Sequence, residues 1–271
     1  MTHPRPVLLL PPSEGKAEGG HDIWDASAGA YGALERPRRT VARRLAAAMS
    51  LDPSRLTKLL GVKGEALERA VRANRRLIRR PLALPSAERF TGVVHDHFGL
   101  AGMPRAARRR AESDVVFLSA LGGVVAPGDP LPDHRAKMSI SLEPLGKLST
   151  WWRPQIDEVL GSRLGGSVVV DLLPKEHAAA LTPFPDRWAR WIQVRFETEA
   201  ADGSRRTVGH EAKAGKGLFA RHLVEAGSAD DDTIQAFATD DGWSVEAIDE
   251  PADPADGPIV VTVVRRDRPS S

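Results

Sequence analysis

The sequence predicts an α/β protein with a mixed central β-sheet flanked by helices, and a basic helical subdomain containing a helix-hairpin-helix-like motif. Two observations predict the sheet: short apolar runs rich in β-branched residues recur along the chain, and helical patterns separate them. A concentration of Lys and Arg over residues 36–80 predicts the subdomain. We expect residues 1–271 to form a single domain, with residues 36–113 as the inserted basic subdomain.

The order of elements begins with a buried strand over Pro4–Leu10, which Pro11 and Pro12 end. Three helices follow, over Pro37–Ser50, Ser54–Leu60 and Gly64–Arg80. Later apolar runs predict strands at Val115–Leu121, Met138–Leu142, Val168–Leu173, Ile192–Phe196 and Ile259–Val264, the last of them at a sheet edge. The intervening patterns predict helices at Trp151–Arg163, Lys213–Ala226 and Asp231–Thr239.

Composition excludes several classes of chemistry. The chain has no cysteine, which removes disulfides, thiolate zinc sites and cysteine nucleophiles. Its histidines at 95, 97 and 134 lack the spacing of a zinc site, so we expect neither a metal nor another cofactor. No apolar run approaches the ~18 residues of a membrane span, and Met1–Leu10 is too short for a signal-peptide core. We therefore expect a cytoplasmic protein without a membrane partner; its oligomeric state stays open.

Charge is unevenly distributed along a chain whose formal net charge is only +2. Residues 36–80 hold fourteen Lys and Arg against three acids, whereas residues 225–256 hold eleven acids and no Lys or Arg. This asymmetry predicts one basic face suited to a polyanion. The alternative is that both segments are ordinary solvated surface.

The hairpin between the second and third predicted helices is the clearest motif of the basic segment. Glycines three apart let the backbone turn tightly and approach a phosphate, and the new helix offers unpaired N–H groups there. Such contacts bind a nucleic-acid backbone without reading its sequence. The alternative is a fold element with no ligand. The residues that we expect to bind DNA are Lys58, Gly61, Lys63, Gly64, Arg72 and Arg76.

The loop after the first strand is the second candidate site, since α/β folds build sites at strand ends. A desolvated lysine can act as a Schiff-base nucleophile and a carboxylate as an acid or base, which makes Ser13, Glu14 and Lys16 candidate catalytic residues. Polar groups near later strand ends can join them in a cationic cleft for phosphate or another small anion. The alternative is scattered surface charge. The predicted cleft residues are Lys16, Arg135, Lys175, Glu176, Lys213, Lys216 and Arg221.

Four segments in order resemble the YaaA family of peroxide stress resistance proteins. Ser13-Glu14-Gly15-Lys16 resembles the family's Ser-Pro-Ala-Lys, and residues 119–129 resemble Ser-Gly-Leu-Tyr-Gly-Val-Leu-Arg-Pro-Leu-Asp. Residues 169–176 resemble Val-Ile-Asn-Leu-Ala-Ser-x-Glu, and residues 213–221 resemble Lys-Lys-Ala-Arg-Gly-Leu-Met-x-Arg. The match at 119–129 continues without a gap to Arg135 and Met138, which resemble the family's Tyr-Arg-Leu-x-Met-Gly. Departures from the family pattern at Gly122, Ala126, His134 and Ser139 mark a divergent member.

The resemblance implies an α/β fold with a positively charged cleft, a helix-hairpin-helix-like element, DNA binding and protection from oxidative damage. The leading hypothesis is therefore a DNA-binding protein without sequence specificity, linked to peroxide stress. The alternative is an enzyme centred on Lys16. It would act on a nucleobase, a nucleotide or damaged DNA in the manner of a lyase or glycosylase, or on another small anion. A third hypothesis, an interaction module with an acidic C-terminal third, ranks below both. Whether the protein catalyses a reaction stays open at this stage.

Overall fold

A computed structural model describes residues 4–182, 188–200, 202–207 and 211–266 of the chain. Its strands are β1 (Pro6–Leu10), β2 (Gly15–Lys16), β3 (Asp22–Ile23), β4 (Leu82–Pro85), β5 (Phe90–Thr91), β6 (Val115–Ser119), β7 (Gly123–Val125), β8 (Pro130–Pro132), β9 (Ser141–Leu142), β10 (Gly146–Lys147), β11 (Val168–Asp171), β12 (Arg190–Glu199), β13 (Arg205–Thr207), β14 (Trp243–Asp249) and β15 (Ile259–Arg266). Its α-helices are α1 (Glu35–Ala48), α2 (Pro53–Leu60), α3 (Gly64–Arg76), α4 (Ser86–Arg89), α5 (Val93–Phe98), α6 (Arg105–Asp114), α7 (Leu148–Gly161), α8 (Lys175–Ala178), α9 (Glu211–Ala226) and α10 (Asp231–Gln235).

The central sheet runs in the order β14-β15-β12-β11-β1-β6-β7, with β13 paired to β12. Five neighbouring strands, from β15 to β6, are parallel, and β7, β13 and β14 pair antiparallel to them. The inner strands β1, β6 and β11 are buried along their whole length, as expected for strands covered on both faces. The predicted α/β class with a mixed central sheet is confirmed.

The connections that leave β1 and β11 diverge. From β1 the chain continues through α1–α6 to β6, on one side of β1 in the sheet. From β11 it continues through α8 to β12, on the other side. The loops after these two adjacent parallel strands therefore separate, and open α/β sheets form their ligand crevices at such a switch point.

The helices between β1 and β6 pack onto the same core as the sheet. Apolar side chains of α1, α2, α3, α5 and α6 belong to one buried cluster with those of the central strands. The sequence explains the bounds of α2: Asp52 accepts hydrogen bonds from the N–H groups of Ser54 and Arg55, and Gly61 ends the helix at φ +66°. The assignment of residues 36–113 as an inserted subdomain stays a prediction.

Arg38, one of the basic residues of the 36–80 segment, is a structural residue and not a surface cation. Its side chain is buried, and its guanidinium donates to the carbonyls of Gly122 (3.0 Å), Val124 (2.9 Å) and Ala26 (3.0 Å). Val124 belongs to β7, the last strand of the sheet, and Gly122 immediately precedes that strand. Arg38 therefore satisfies backbone acceptors that strand pairing leaves open.

Two strand predictions were wrong in part. Ile259–Arg266 is an inner strand, because β14 pairs with its free side and takes the edge. The sequence of β14, Trp-Ser-Val-Glu-Ala-Ile-Asp, alternates apolar and polar residues over its first five positions only and was not predicted as a strand. The run Met138–Leu142 is mostly a turn, with only Ser141–Leu142 in a two-residue strand. Within the described ranges, the helices are all too short or too polar to cross a bilayer.

Candidate functional site

A cleft of about 1020 Å3 opens at the switch point, beyond the carboxyl ends of β1 and β11. The loop at Pro11–Gly15 forms one wall and the segment Leu173–His177 forms another. Residues of β12, the start of α5 and the start of α9 complete the lining. The loop that the sequence identified as a candidate site thus lies where the topology places a ligand crevice.

A smaller cavity of about 30 Å3 adjoins the cleft and shares five of its lining residues, Pro12, Ser13, Glu14, Glu176 and His177. It has room for about one water molecule. The remaining lining residues of this small cavity are Lys16, Arg135, Ala136 and Lys137. Two of the three predicted catalytic residues, Ser13 and Glu14, thus border both spaces, and Lys16 borders the small cavity.

Lys16 is a buried lysine on a short strand pair. Strand β2 places it opposite Phe90 of β5, and its side chain is only 8% exposed. The ammonium nitrogen donates to the Ser13 carbonyl at 2.9 Å and lies 5.7 Å from the centre of the Phe90 ring. Burial, with a smaller contribution from the positive charge of Arg135, lowers the pKa of Lys16 to about 7.

Glu14 is held between two cations. The Arg135 guanidinium donates to its Oε2 at 3.0 Å and to its backbone carbonyl at 3.0 Å, and the Lys137 ammonium lies 2.9 Å from its Oε1. The hydrogen bond from Lys137 lowers the pKa of Glu14, against the opposing effect of partial burial. Glu14 is therefore an ionised partner of the cavity's cations.

Arg135 is fixed from the helical side by Asn74. The buried amide of Asn74 donates to the Arg135 carbonyl at 2.9 Å, and its oxygen accepts the Arg135 N–H at 2.8 Å. The Nε of Arg135 is buried and, within the described part of the chain, has no hydrogen-bond partner. The same holds for Nδ1 of His177, whose nearest carboxylate oxygen, on Glu176, is 3.6 Å away. Burial lowers the pKa of His177.

Arg69 links α3 to the other side of the same site. It donates to the Lys16 carbonyl at 2.9 Å and contacts Asp133 at 3.2 Å and Glu18 at 2.5 Å. Asp133 is half-buried, and desolvation raises the pKa of its carboxyl despite this cation. Arg69, one of the basic residues of the 36–80 segment, therefore bonds within the protein.

The sheet-side wall of the cleft contains Lys216 of α9 and, behind it, Asp171 at the end of β11. Lys216 donates to the Leu172 carbonyl at 2.7 Å, and burial lowers its pKa to about 8. Burial likewise raises the pKa of Asp171 to about 6, although its Oδ1 accepts the Leu173 N–H. The attraction between the Asp171 carboxylate and the Lys216 ammonium opposes both pKa shifts, but burial has the larger effect on each group.

The other predicted cleft residues divide into two groups. Lys175, Glu176 and Lys213 line the large cleft and are exposed. Arg221 does not line it: its guanidinium lies near the Gly99 carbonyl and pairs with Glu225 at 2.9 Å. Arg195, which the sequence analysis missed, lines the cleft from β12 and is exposed.

The predicted DNA-binding hairpin lies beside the small cavity. Lys58, Gly61, Lys63 and Gly64 are all exposed, and Arg72 and Arg76 extend along the exposed face of α3. A side chain added at Gly61 would meet only the end of Lys137, at 3.8 Å, which is also the partner of Glu14. Lys137 therefore lies between the hairpin and the cavity, a position that no sequence motif indicated.

The histidines that a metal site would need are occupied by backbone contacts. His95 Nε2 lies 3.1 Å from the Pro11 carbonyl, and burial lowers its pKa to about 4. His134 is buried with Nδ1 2.9 Å from the Pro132 carbonyl, and burial lowers its pKa as well. Among the residues that the structure describes, no three potential ligands of the His, Cys, Asp or Glu types converge.

An open mixed sheet with its cleft at the switch point defines an α/β protein of the type that binds ligands beyond the carboxyl ends of its strands. Within that class, the chain belongs to the family described as peroxide stress protein YaaA, whose profile matches residues 7–248. The resemblance inferred from the sequence is thereby confirmed.

Individual relatives cover nearly the whole chain. The UPF0246 protein SCO2297 of Streptomyces coelicolor is 34% identical over 249 residues, which are 89% of this chain and 92% of the relative. A UPF0246 protein of Corynebacterium glutamicum strain R is 31% identical over 252 residues, or 89% and 94% of the two chains. The UPF0246 protein CE1889 of Corynebacterium efficiens is 29% identical over 221 residues, or 80% and 84%.

Proposed function

We propose that this protein binds the phosphate backbone of DNA without sequence specificity, through the hairpin at residues 58–64 and the exposed face of α3. The observation that carries the proposal is the open glycine turn, flanked by exposed lysines, beside the small cavity. The family's description as a peroxide stress protein supports a role in limiting oxidative damage.

The turn is suited to phosphate by its shape. Apart from the adjoining residues of the chain and the backbone of α3 itself, no atom of the described residues lies within 4 Å of the position that a Cβ on Gly64 would occupy. Gly61 and Gly64 both have left-handed φ angles, of +66° and +55°, so the turn needs residues without a Cβ. A phosphate oxygen can therefore approach the first N–H groups of α3, where the helix dipole favours an anion.

Charge on α3 extends the contact surface. Arg76 is exposed, and the exposed Arg72 has only a loose ion pair with Glu68, at 3.6 Å. Lys58 on α2 and Lys63 in the turn lie at the start of this surface. Contacts of these four side chains go to phosphates and not to base edges, so affinity should depend little on sequence.

The test is fluorescence anisotropy with labelled duplexes of several unrelated sequences, titrated over a range of salt concentrations. We expect similar affinities for all duplexes and a steep fall with salt, because bound phosphates release counterions. The double variant Lys58→Ala/Lys63→Ala should weaken binding on every duplex and reduce the slope of log affinity against log salt by about 2.

The matched control removes two exposed arginines from α6, Arg105→Ala/Arg109→Ala, and so changes net charge equally. It should bind like the unmodified protein. Absence of binding at low salt, or equal losses in the two double variants, would refute the hairpin as the binding surface.

Complementation of a deletion strain under peroxide tests the stress role. If DNA binding through the hairpin protects the cell, the α6 variant should restore survival and the hairpin variant should not.

A further inference from the structure

We propose that the Lys16 amine forms an imine with a small carbonyl compound that carries a carboxylate or phosphate group. The compound would enter through the large cleft, and its anionic group would bind beside Arg135. The inference concerns the small cavity and not the hairpin, so it is independent of DNA binding.

The geometry around Lys16 leaves its nitrogen available to a ligand. The ammonium donates one hydrogen bond, to the Ser13 carbonyl at 2.9 Å, and the Phe90 ring covers another side without accepting strongly. The residue lines a cavity that shares Ser13, Glu14 and His177 with the large cleft. Because the small cavity has room for about one water molecule, a carbonyl compound can reach the nitrogen from the cleft only where the shared wall of Ser13, Glu14 and His177 gives way to it.

The environment favours the neutral, nucleophilic form of the amine. Lys16 is nine-tenths buried, and that burial, with a smaller contribution from the positive charge of Arg135, lowers its pKa to about 7. An unperturbed lysine, with a pKa of about 10.4, would be almost wholly protonated at neutral pH. The titratable and charged groups that act on Lys16 are Glu14, Arg69, His95, Asp133, His134, Arg135 and His177.

Two buried polar atoms without partners supply the other requirements. Two nitrogens of the Arg135 guanidinium donate to Glu14. The third, Nε, has no hydrogen-bond partner within the described residues and can donate to an anionic group. His177 is 7% exposed, and its Nδ1 is likewise unpartnered there. Unsatisfied buried donors and acceptors are costly, and several in one cavity indicate a missing polar ligand or water.

The chemistry balances without a further reagent. The neutral amine attacks the carbonyl carbon, a C–N bond forms, and the proton lost from nitrogen passes to the carbonyl oxygen to give a carbinolamine. Protonation of that hydroxyl, with His177 as the proton carrier, releases it as water, and the nitrogen lone pair forms the C=N bond of an iminium ion. The proton that remains on the nitrogen then returns to His177 and leaves the neutral imine. One amine and one carbonyl compound thus give one imine and one water.

The experiment uses glyoxylate, the smallest aldehyde with a carboxylate, and cyanoborohydride to reduce any imine, with the full-length protein and no DNA. Peptide mass spectrometry then measures carboxymethyl-lysine at each site. We expect Lys16 to be modified first at neutral pH, ahead of the exposed Lys147 in the same sample. Labelling of Lys16 should rise with pH around 7, following deprotonation of the amine.

Two comparisons make the result decisive. Acetaldehyde, which lacks the anionic group, should modify Lys16 several-fold more slowly, and Arg135→Gln should slow the reaction with glyoxylate more than that with acetaldehyde. Labelling of Lys16 no faster than Lys147, or preferential labelling of Lys216, would overturn the proposal. Equal rates with both aldehydes would overturn its anionic part. The hairpin is unchanged in all these experiments and no DNA is present. Their outcome is therefore independent of the outcome of the DNA-binding test.

Discussion

Replacement of Arg38 by methionine is the sharpest test of how this sheet is held together. Methionine keeps much of the side-chain volume but removes the donors to Gly122, Val124 and Ala26. Each buried carbonyl left without a donor costs about 1–3 kcal/mol. Part of that cost is offset, because the variant no longer desolvates a guanidinium. We expect a net loss of about 3–5 kcal/mol in the free energy of unfolding, comparable to breaking other buried charged contacts.

The assay is urea unfolding followed by tryptophan fluorescence, since Trp152 packs under the same segment and donates to Ala120. The matched control is Arg43→Met, an exposed arginine on the same helix, which should stay within about 0.5 kcal/mol of the unmodified protein. Should the methionine variant not fold, Arg38→Lys keeps the charge with fewer aligned donors and should show an intermediate loss. A loss under about 1 kcal/mol for Arg38→Met, or one equal to the control, would refute the reasoning.

Three further predictions concern the interior of the molecule. Gly123→Ala should cost several kcal/mol, because φ is +70° and the new Cβ would lie 2.7 Å from the Trp152 ring, whereas Gly102→Ala, with open space, should be nearly neutral in the same unfolding assay. Asn74→Ala should lower the free energy of unfolding by about 2–4 kcal/mol, since it leaves both backbone groups of residue 135 unpaired; a loss below about 0.5 kcal/mol would contradict this. For Asp171, the folded-state pKa lies above the unfolded value of 3.8, at about 6, so its contribution is present below pH 3.8 and is lost as pH rises through 6. Asp171→Asn should therefore flatten the pH dependence of unfolding over this interval, and an unchanged profile would argue against a buried carboxyl.

The inner strands of the sheet could be predicted from the sequence, because the pattern that indicates each strand lies within a few consecutive residues. Val168–Asp171 and Val115–Ser119 are continuous apolar runs, and such runs form strands covered on both faces. Strand β14 was missed because its acidic residues at 246 and 249 obscure the apolar pattern, and its place at the edge depends on pairing with a distant strand. Edge position is a property of the assembled sheet, which local sequence does not specify.

Several polar residues of the small cavity were predicted from the sequence, but the burial of Lys16 was not. Ser13, Glu14, Lys16 and Arg135 come together as the strand-end argument indicated. The burial of Lys16, and with it the lowered pKa, required the Phe90 strand and the residues of α3, which are far away in the chain. The charge run likewise could not separate Arg38, which bonds to backbone carbonyls inside the protein, from Arg72 and Arg76 on the surface.

Helix α3 has a consequence for how the two proposed sites relate. Its exposed face carries Arg72 and Arg76, and Asn74 on the opposite face bonds to the backbone of Arg135. Arg69, half-buried near the exposed face, donates to the Lys16 carbonyl. A single helix of 13 residues thus separates the hairpin surface from the cavity. If occupation of the cavity shifts the position of that helix, thermodynamic linkage requires that bound DNA change the affinity for the small ligand by the same factor. Ligand titrations with and without a duplex would measure that coupling free energy in both directions.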